Sequence, residues 1–86
     1  MKEVHVGDHV IWVDPVAKPN NALVTAVWSQ NCINVVMVND DPKMDDSYGR
    51  QIRRETSQSY KDGMPHGNYW MFPGEVQNPI VQAQEK

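Results

Sequence analysis

Apolar residues along this chain fall in short alternating runs and not at the three- and four-residue spacing of an amphipathic helix. In VHVGDHVIWVD (4–14), Val10 and Trp12 share one face while His9, Ile11 and Val13 share the other. The segment predicts a strand entered through the Gly7-Asp8 turn. Asp14-Pro15 ends it, because proline lacks a ladder donor and restricts the residue before it. PVAKPNN (15–21) reads as a loop. In ALVTAVW (22–28), Leu23, Thr25 and Val27 alternate with Ala22, Val24, Ala26 and Trp28. Ser29-Gln30-Asn31 supplies a turn and CINVVMV (32–38) the returning strand. Seven residues is strand length, and the valines favour the same conformation, so the two runs predict a hairpin.

The second half is more polar. NDDPKMDDSYG (39–49) carries Asp40, Asp41, Asp45 and Asp46 with Pro42 and Gly49 and predicts a long acidic loop held in solvent. RQIRRETSQSY (50–60) has Ile52 as its only aliphatic residue. It reads as a mostly solvent-facing strand, with a helix as the alternative that its serines, threonine and tyrosine weaken. Residues 62–67 are turn-like, Asn68 to Phe72 form a short aromatic strand closed by Pro73-Gly74, and 75–86 read as a flexible tail with at most one helical turn. About five short strands and no convincing helix have to close, or nearly close, to hide their edges. The expected fold is all-β: one domain over 1–74, a small antiparallel barrel of SH3-like type. An OB-like barrel is the second choice, since no helix is present to cap it.

Composition narrows the function classes. Eighty-six residues bury roughly 64% of the surface of their unfolded chain, enough for one small core. That excludes P-loop and dinucleotide folds and barrels of βα units. With 40% hydrophobic residues, no run approaches the ~18 apolar residues of a membrane helix. The net charge of −3 gives no global attraction for nucleic acid or acidic membranes. The single cysteine, Cys32, has no internal disulfide partner and reads as a small buried hydrophobe. The opening Met1-Lys2-Glu3-Val4-His5 has no apolar core of a signal peptide, so a cytoplasmic setting is expected.

Val6-Gly7-Asp8-His9-Val10 with Trp12 resembles the entry to SH3-like barrels of the KOW and related kinds, where a Gly-Asp turn precedes the first strand. The chain departs from the nucleic-acid-binding members of that family by being acidic and lacking a basic stripe, which argues against their RNA-binding role. Asn21 to Trp28 and Asp46 to Ser57 are similar to small proteins of unassigned function in bacteriophage genomes; that resemblance implies no activity and no site residues.

The window most suggestive of chemistry is 46–57. Arg50, Arg53 and Arg54 fall within five positions, directly after the aspartates. On one strand, Tyr48, Arg50, Ile52, Arg54 and Thr56 share a face that offers an aromatic plane, two guanidinium forks and a hydroxyl. A planar fork donates two parallel hydrogen bonds to a phosphate, and a tyrosine ring stacks a base. Asn20-Asn21 and Asp14-Pro15 in the first loop are candidates to face the Tyr48 loop at one end of the barrel and form a cleft with it, Asn21 joining the ligand-binding set, although sequence alone does not fix that placement. The competing reading pairs the arginines with neighbouring acids on a solvated face, at ~0–1 kcal/mol each.

No metal or cofactor is expected. The aspartates lack EF-hand spacing, and His5, His9, His66 and Cys32 lack zinc-ligand spacing. A Cys32–His66 nucleophile pair has no third group to orient it, so no enzyme is expected. Trp12, Trp28 and Trp70 belong mostly to the core, with one or two left as an interaction surface.

The leading functional expectation is a non-enzymatic, homo-oligomeric binding module for a small anionic ligand such as a nucleotide. Analogy alone with bacteriophage proteins extends this to sequestering a host signalling nucleotide or otherwise countering host defence. The alternatives are a protein–protein adaptor or counter-defence inhibitor acting through the acidic loop and exposed aromatics, and a KOW-like nucleic-acid binder.

Overall fold

The structure, a computed structural model, describes residues 2–62 and 67–79. All regular structure among them is strand: β1 (His9–Val13), β2 (Pro19–Val27), β3 (Cys32–Val38), β4 (Asp45–Asp46), β5 (Gly49–Arg50), β6 (Ile52–Tyr60) and β7 (Tyr69–Met71). Five of them close a barrel in the order β1-β2-β3-β6-β7, and β4 and β5 form a separate two-stranded hairpin. The all-β barrel of small SH3-like type is therefore what the chain adopts. Four seams are antiparallel; β6 and β7 run parallel, with Ser59 opposite Tyr69 and Tyr60 opposite Trp70. Direction cannot alternate around a closed ring of five, so one parallel seam is unavoidable.

The predicted alternation holds on β1 to β3 as far as the first irregularity. Val10 and Trp12, Ala22 and Val24, and Ile33, Val35 and Met37 all point inward, each at most 5% exposed. On β2 one extra residue, Thr25, is inserted between Val24 and Ala26. A bulge of this kind reverses the faces beyond it. Val27 turns inward opposite Ile33, and Trp28, placed by simple alternation with the buried set, is 65% exposed. Trp12 and Trp70 are the two core tryptophans.

Residues 52–60 form a strand and not a helix. It too is bulged, because Val35 faces Glu55 while Ile33 faces Gln58. Ser57 sits at the irregularity with φ 55°, a left-handed conformation uncommon for a residue with a Cβ. The acidic segment 39–49 is more ordered than a loop. Asn39 N–H donates to Gln51 O and Gln51 N–H to Met44 O, and the ends close as β4 and β5, yet every residue from Asp40 to Arg50 stays exposed.

At one end of the barrel, Trp70 meets Tyr60 edge-on at 4.9 Å and Phe72 at 5.1 Å. The chain beyond Gly74 is tied to this cluster. Glu75 accepts from Tyr60 Oη at 2.5 Å and from Phe72 N–H at 2.8 Å, and Asn78 N–H donates to Tyr69 Oη at 2.9 Å. Glu75 and Asn78 of the expected tail thus hydrogen-bond to the barrel, while 80–86 and the turn positions 63–66 fall outside the described residues.

Candidate functional site

The outward positions of three adjacent strands build one continuous face. The alternation that buries Ile33, Val35 and Met37 turns Asn34, Val36 and Val38 outward on β3. β2 adds Leu23 and Thr25; β6 adds Ile52, Arg54 and Thr56. Register places Leu23, Val36 and Arg54 in a row across the sheet, and Val38 opposite Ile52.

This face has two halves. The apolar half is a groove of about 210 Å³ between Leu23, Val36, Val38 and Ile52, with His9 and Asn21 at its edge. Leu23, Val38 and Ile52 are each at least half exposed. His9 Nε2 lies 2.9 Å from Asn21 Oδ1, which fixes both side chains there. The polar half is a groove of about 350 Å³ lined by Thr25, Asn34, Val35, Val36, Arg54, Glu55 and Thr56.

The polar groove lies where the two bulges flank Asn34, one on β2 at Thr25 and one on β6 at Thr56-Ser57. Bulges break ladder pairing and re-aim side chains. Here the side chain of Asn34 replaces the lost partner: its Oδ1 accepts from Ser57 N–H at 2.8 Å and from Trp28 Nε1–H at 2.9 Å. The exposed indole of Trp28 is thereby held at the edge of the groove.

The three arginines divide by partner. Arg50 Nε donates to Asp45 Oδ1 at 2.7 Å, and another of its nitrogens donates to Asn39 O at 3.1 Å. Arg53 Nε donates to Glu55 Oε2 at 2.8 Å, and its guanidinium lies 4.9 Å from the centre of the Trp12 ring. Arg54 has no acidic partner among the described residues.

The structure brings Arg54 and Thr56 together in the polar groove and sets Asn21 at the far edge of the same face. Tyr48 and Arg50 lie elsewhere, on the hairpin. Gly49, at φ 117°, and Gln51 interrupt the run, so 48–56 is not one strand; Tyr48 stands at the hairpin turn, 98% exposed. Thr25, Asn34 and Trp28 were not singled out from the sequence as site residues. The signal for Asn34 was present, as the one polar residue inside CINVVMV, at a position that alternation turns outward.

Two further features bear on electrostatics. Lys18 Nζ donates to Asp40 Oδ2 at 2.7 Å, and that hydrogen bond raises the Lys18 pKa and lowers that of Asp40, tying the first loop to the base of the hairpin. Burial, reinforced by the bond to Glu75, pushes the Tyr60 hydroxyl up to about 12.

Among the described residues no group of three or more His, Cys, Asp and Glu side chains is placed to hold a metal ion; His66 lies outside them. No helix among them is long and apolar enough to cross a membrane. The chain matches no protein-family model, no curated protein and no solved structure, so the functional reading rests on this face and its geometry.

Proposed function

We propose that the protein is a non-enzymatic binding module that captures a small anionic ligand, a phosphate ester or nucleotide, in the polar groove of the β2–β3–β6 face. The observation that carries this reading is Arg54: an arginine with no acidic partner among the described residues, in a groove of about 350 Å³ that also presents Thr25, Asn34 and Thr56, and whose one acidic lining residue, Glu55, has its carboxylate engaged by Arg53. A guanidinium fork suits a phosphate, and the two threonine hydroxyls add donors on either side of Asn34. Trp28 supplies the aromatic surface that a base or sugar would meet. The face offers one such arginine and not a basic stripe, which favours a compact anion over a nucleic-acid strand.

The test is a thermal-shift screen with inorganic phosphate, mononucleotides and cyclic nucleotides, followed by titration calorimetry. A ligand at ~100 times its Kd adds about 2.7 kcal/mol, on the order of 10–20 °C for a domain of this size. The shift is expected to disappear in Arg54→Ala and to persist in Arg50→Ala, whose guanidinium is already held by Asp45. Equal loss in both variants, or no shift with any of these anions, overturns the proposal. The aliphatic strip Leu23, Val36, Val38 and Ile52 supports a second reading, a protein contact on the other half of the face.

A further inference from the structure

We infer that two copies of this chain associate by exchanging their acidic hairpins, each laying Tyr48 into the apolar groove of the other. The inference starts from two features that lack a partner within one chain. Tyr48 is 98% exposed and Met44 39% exposed, on a hairpin whose residues from Asp40 to Arg50 are all in solvent. The groove of about 210 Å³ between Leu23, Val36, Val38 and Ile52 is apolar and open. Single exposed hydrophobic residues are ordinary; an aliphatic groove and an aromatic tip that fits such a groove are less so.

Their placement selects a second copy as the occupant. Val38 and Ile52, which end the groove, directly flank the base of the hairpin, where Asn39 N–H donates to Gln51 O. The hairpin starts at the groove's edge, and Tyr48 at its tip, 98% exposed, does not pack on its own face. A two-fold axis near Val38 and Ile52 returns that tip, from the other chain, onto the groove. Tyr48 lies four positions before Ile52, a reach of at most roughly 13 Å when extended. The row Leu23–Val36–Arg54 spans about 10 Å across three strands. The arm is therefore long enough to cover the groove.

Charge agrees with this pairing. Of the arm's four aspartates, Asp40 and Asp45 pair within the chain with Lys18 and Arg50, while Asp41 and Asp46 form no ion pair among the described residues; the face the arm meets carries Arg54, also without an acidic partner among them. The contact is isologous, so every interaction forms twice and the assembly closes at two. Two tyrosines, two methionines and the facing grooves bury on the order of 1,000 Å², the lower end of specific interfaces.

Sedimentation equilibrium of the full chain from 5 to 500 µM tests this, with circular dichroism to establish that the variants keep the fold. The expected result is a monomer–dimer equilibrium whose Kd rises about 30-fold or more in Tyr48→Ala and in Ile52→Asp, as loss of an interface anchor gives. Mixing the two variants restores one intact tyrosine–groove contact per pair, so the mixture should show a higher average mass than either variant alone. Three results overturn the inference: a wild-type chain that stays monomeric to 500 µM, a dimer indifferent to Tyr48→Ala, or a mixture no heavier than its components.

Discussion

β3 and β6 run side by side and divide their side chains in opposite ways. β3 buries Ile33, Val35 and Met37 and turns Asn34 outward between them. β6 turns Arg53, Glu55 and Gln58 inward and leaves Ile52 exposed. The inverted strand is accommodated because its inner residues have partners within the fold. Arg53 pairs with Glu55 and lies over Trp12, whose indole Nε1–H donates to Gln58 Oε1 at 2.8 Å. No buried side-chain polar atom among the described residues lacks a hydrogen bond. An inner face can therefore be polar where each group finds a partner, and the apolar surface it gives up is supplied by one large ring from across the barrel.

Trp12 is thus the anchor on which the polar inner face rests, and its removal should have the largest effect. Trp12→Ala deletes a fully buried ring, the acceptor surface for Arg53 and the donor to Gln58 together. We expect a loss of ~3–5 kcal/mol in urea denaturation. The matching truncation on the exposed face, Trp28→Ala, is expected to cost less than about 1 kcal/mol, because that indole is 65% exposed and contributes one hydrogen bond, to Asn34. Similar losses for the two tryptophans would contradict the division between inner and outer faces.

The inner face of β6 ends at Tyr60, which gives it a pH signature. Its hydroxyl, ordinarily near 10, is pushed up to about 12, so the folded state holds the proton more tightly than the unfolded chain does. The associated stability is fully present below pH about 10 and is lost as pH rises toward about 12. Urea midpoints between pH 8 and 12 should fall more steeply for the wild type than for Tyr60→Phe, which has no proton to lose at that position. Parallel slopes would show that the hydroxyl is not protected by the fold.

How much of this could be read from the chain depends on whether alternation was interrupted. The strands β1, β3 and β7 and the middle of β2, Ala22 to Val24, follow from apolar spacing alone, and with them the closed barrel. Pro19-Asn20-Asn21, which read as a loop, instead open β2 opposite Val13 to Ile11, because pairing to β1 needs no apolar side chain. Thr25 and Ser57 mark where that reading stops. One inserted residue exchanges inside for outside, and no composition rule marks an insertion made of ordinary strand residues. Simple alternation therefore puts Trp28 on the wrong face and gives no sign that Thr25 and Asn34 neighbour Arg54. Arg54 and Thr56 remained legible as site candidates because they precede the β6 bulge. Tyr48 and Arg50 did not join them, because the Gly49 turn and the Asp45–Arg50 ion pair divert that stretch into the hairpin.

The sharpest form of the comparison is a pair of adjacent residues. Arg53 and Arg54 have the same side chain and neighbouring places on one strand, yet one points toward Trp12 and the other into the outer groove. Arg53→Met keeps much of the apolar stem but removes the charge facing Glu55 and the cation over the ring. The side chain is still 39% exposed, so the pair is partly screened, and the expected loss is about 1 kcal/mol. Arg54→Met removes no ion pair and should leave the urea midpoint within about 0.5 kcal/mol of wild type. For capture of a phosphate ester the order reverses: Arg54→Met is expected to abolish it, and Arg53→Met to leave it within about threefold. Because stability and binding are predicted to respond to opposite members of the pair, general damage to the fold cannot produce the pattern. If both substitutions lower stability equally and both abolish binding, the two faces of β6 do not have the separate roles assigned to them.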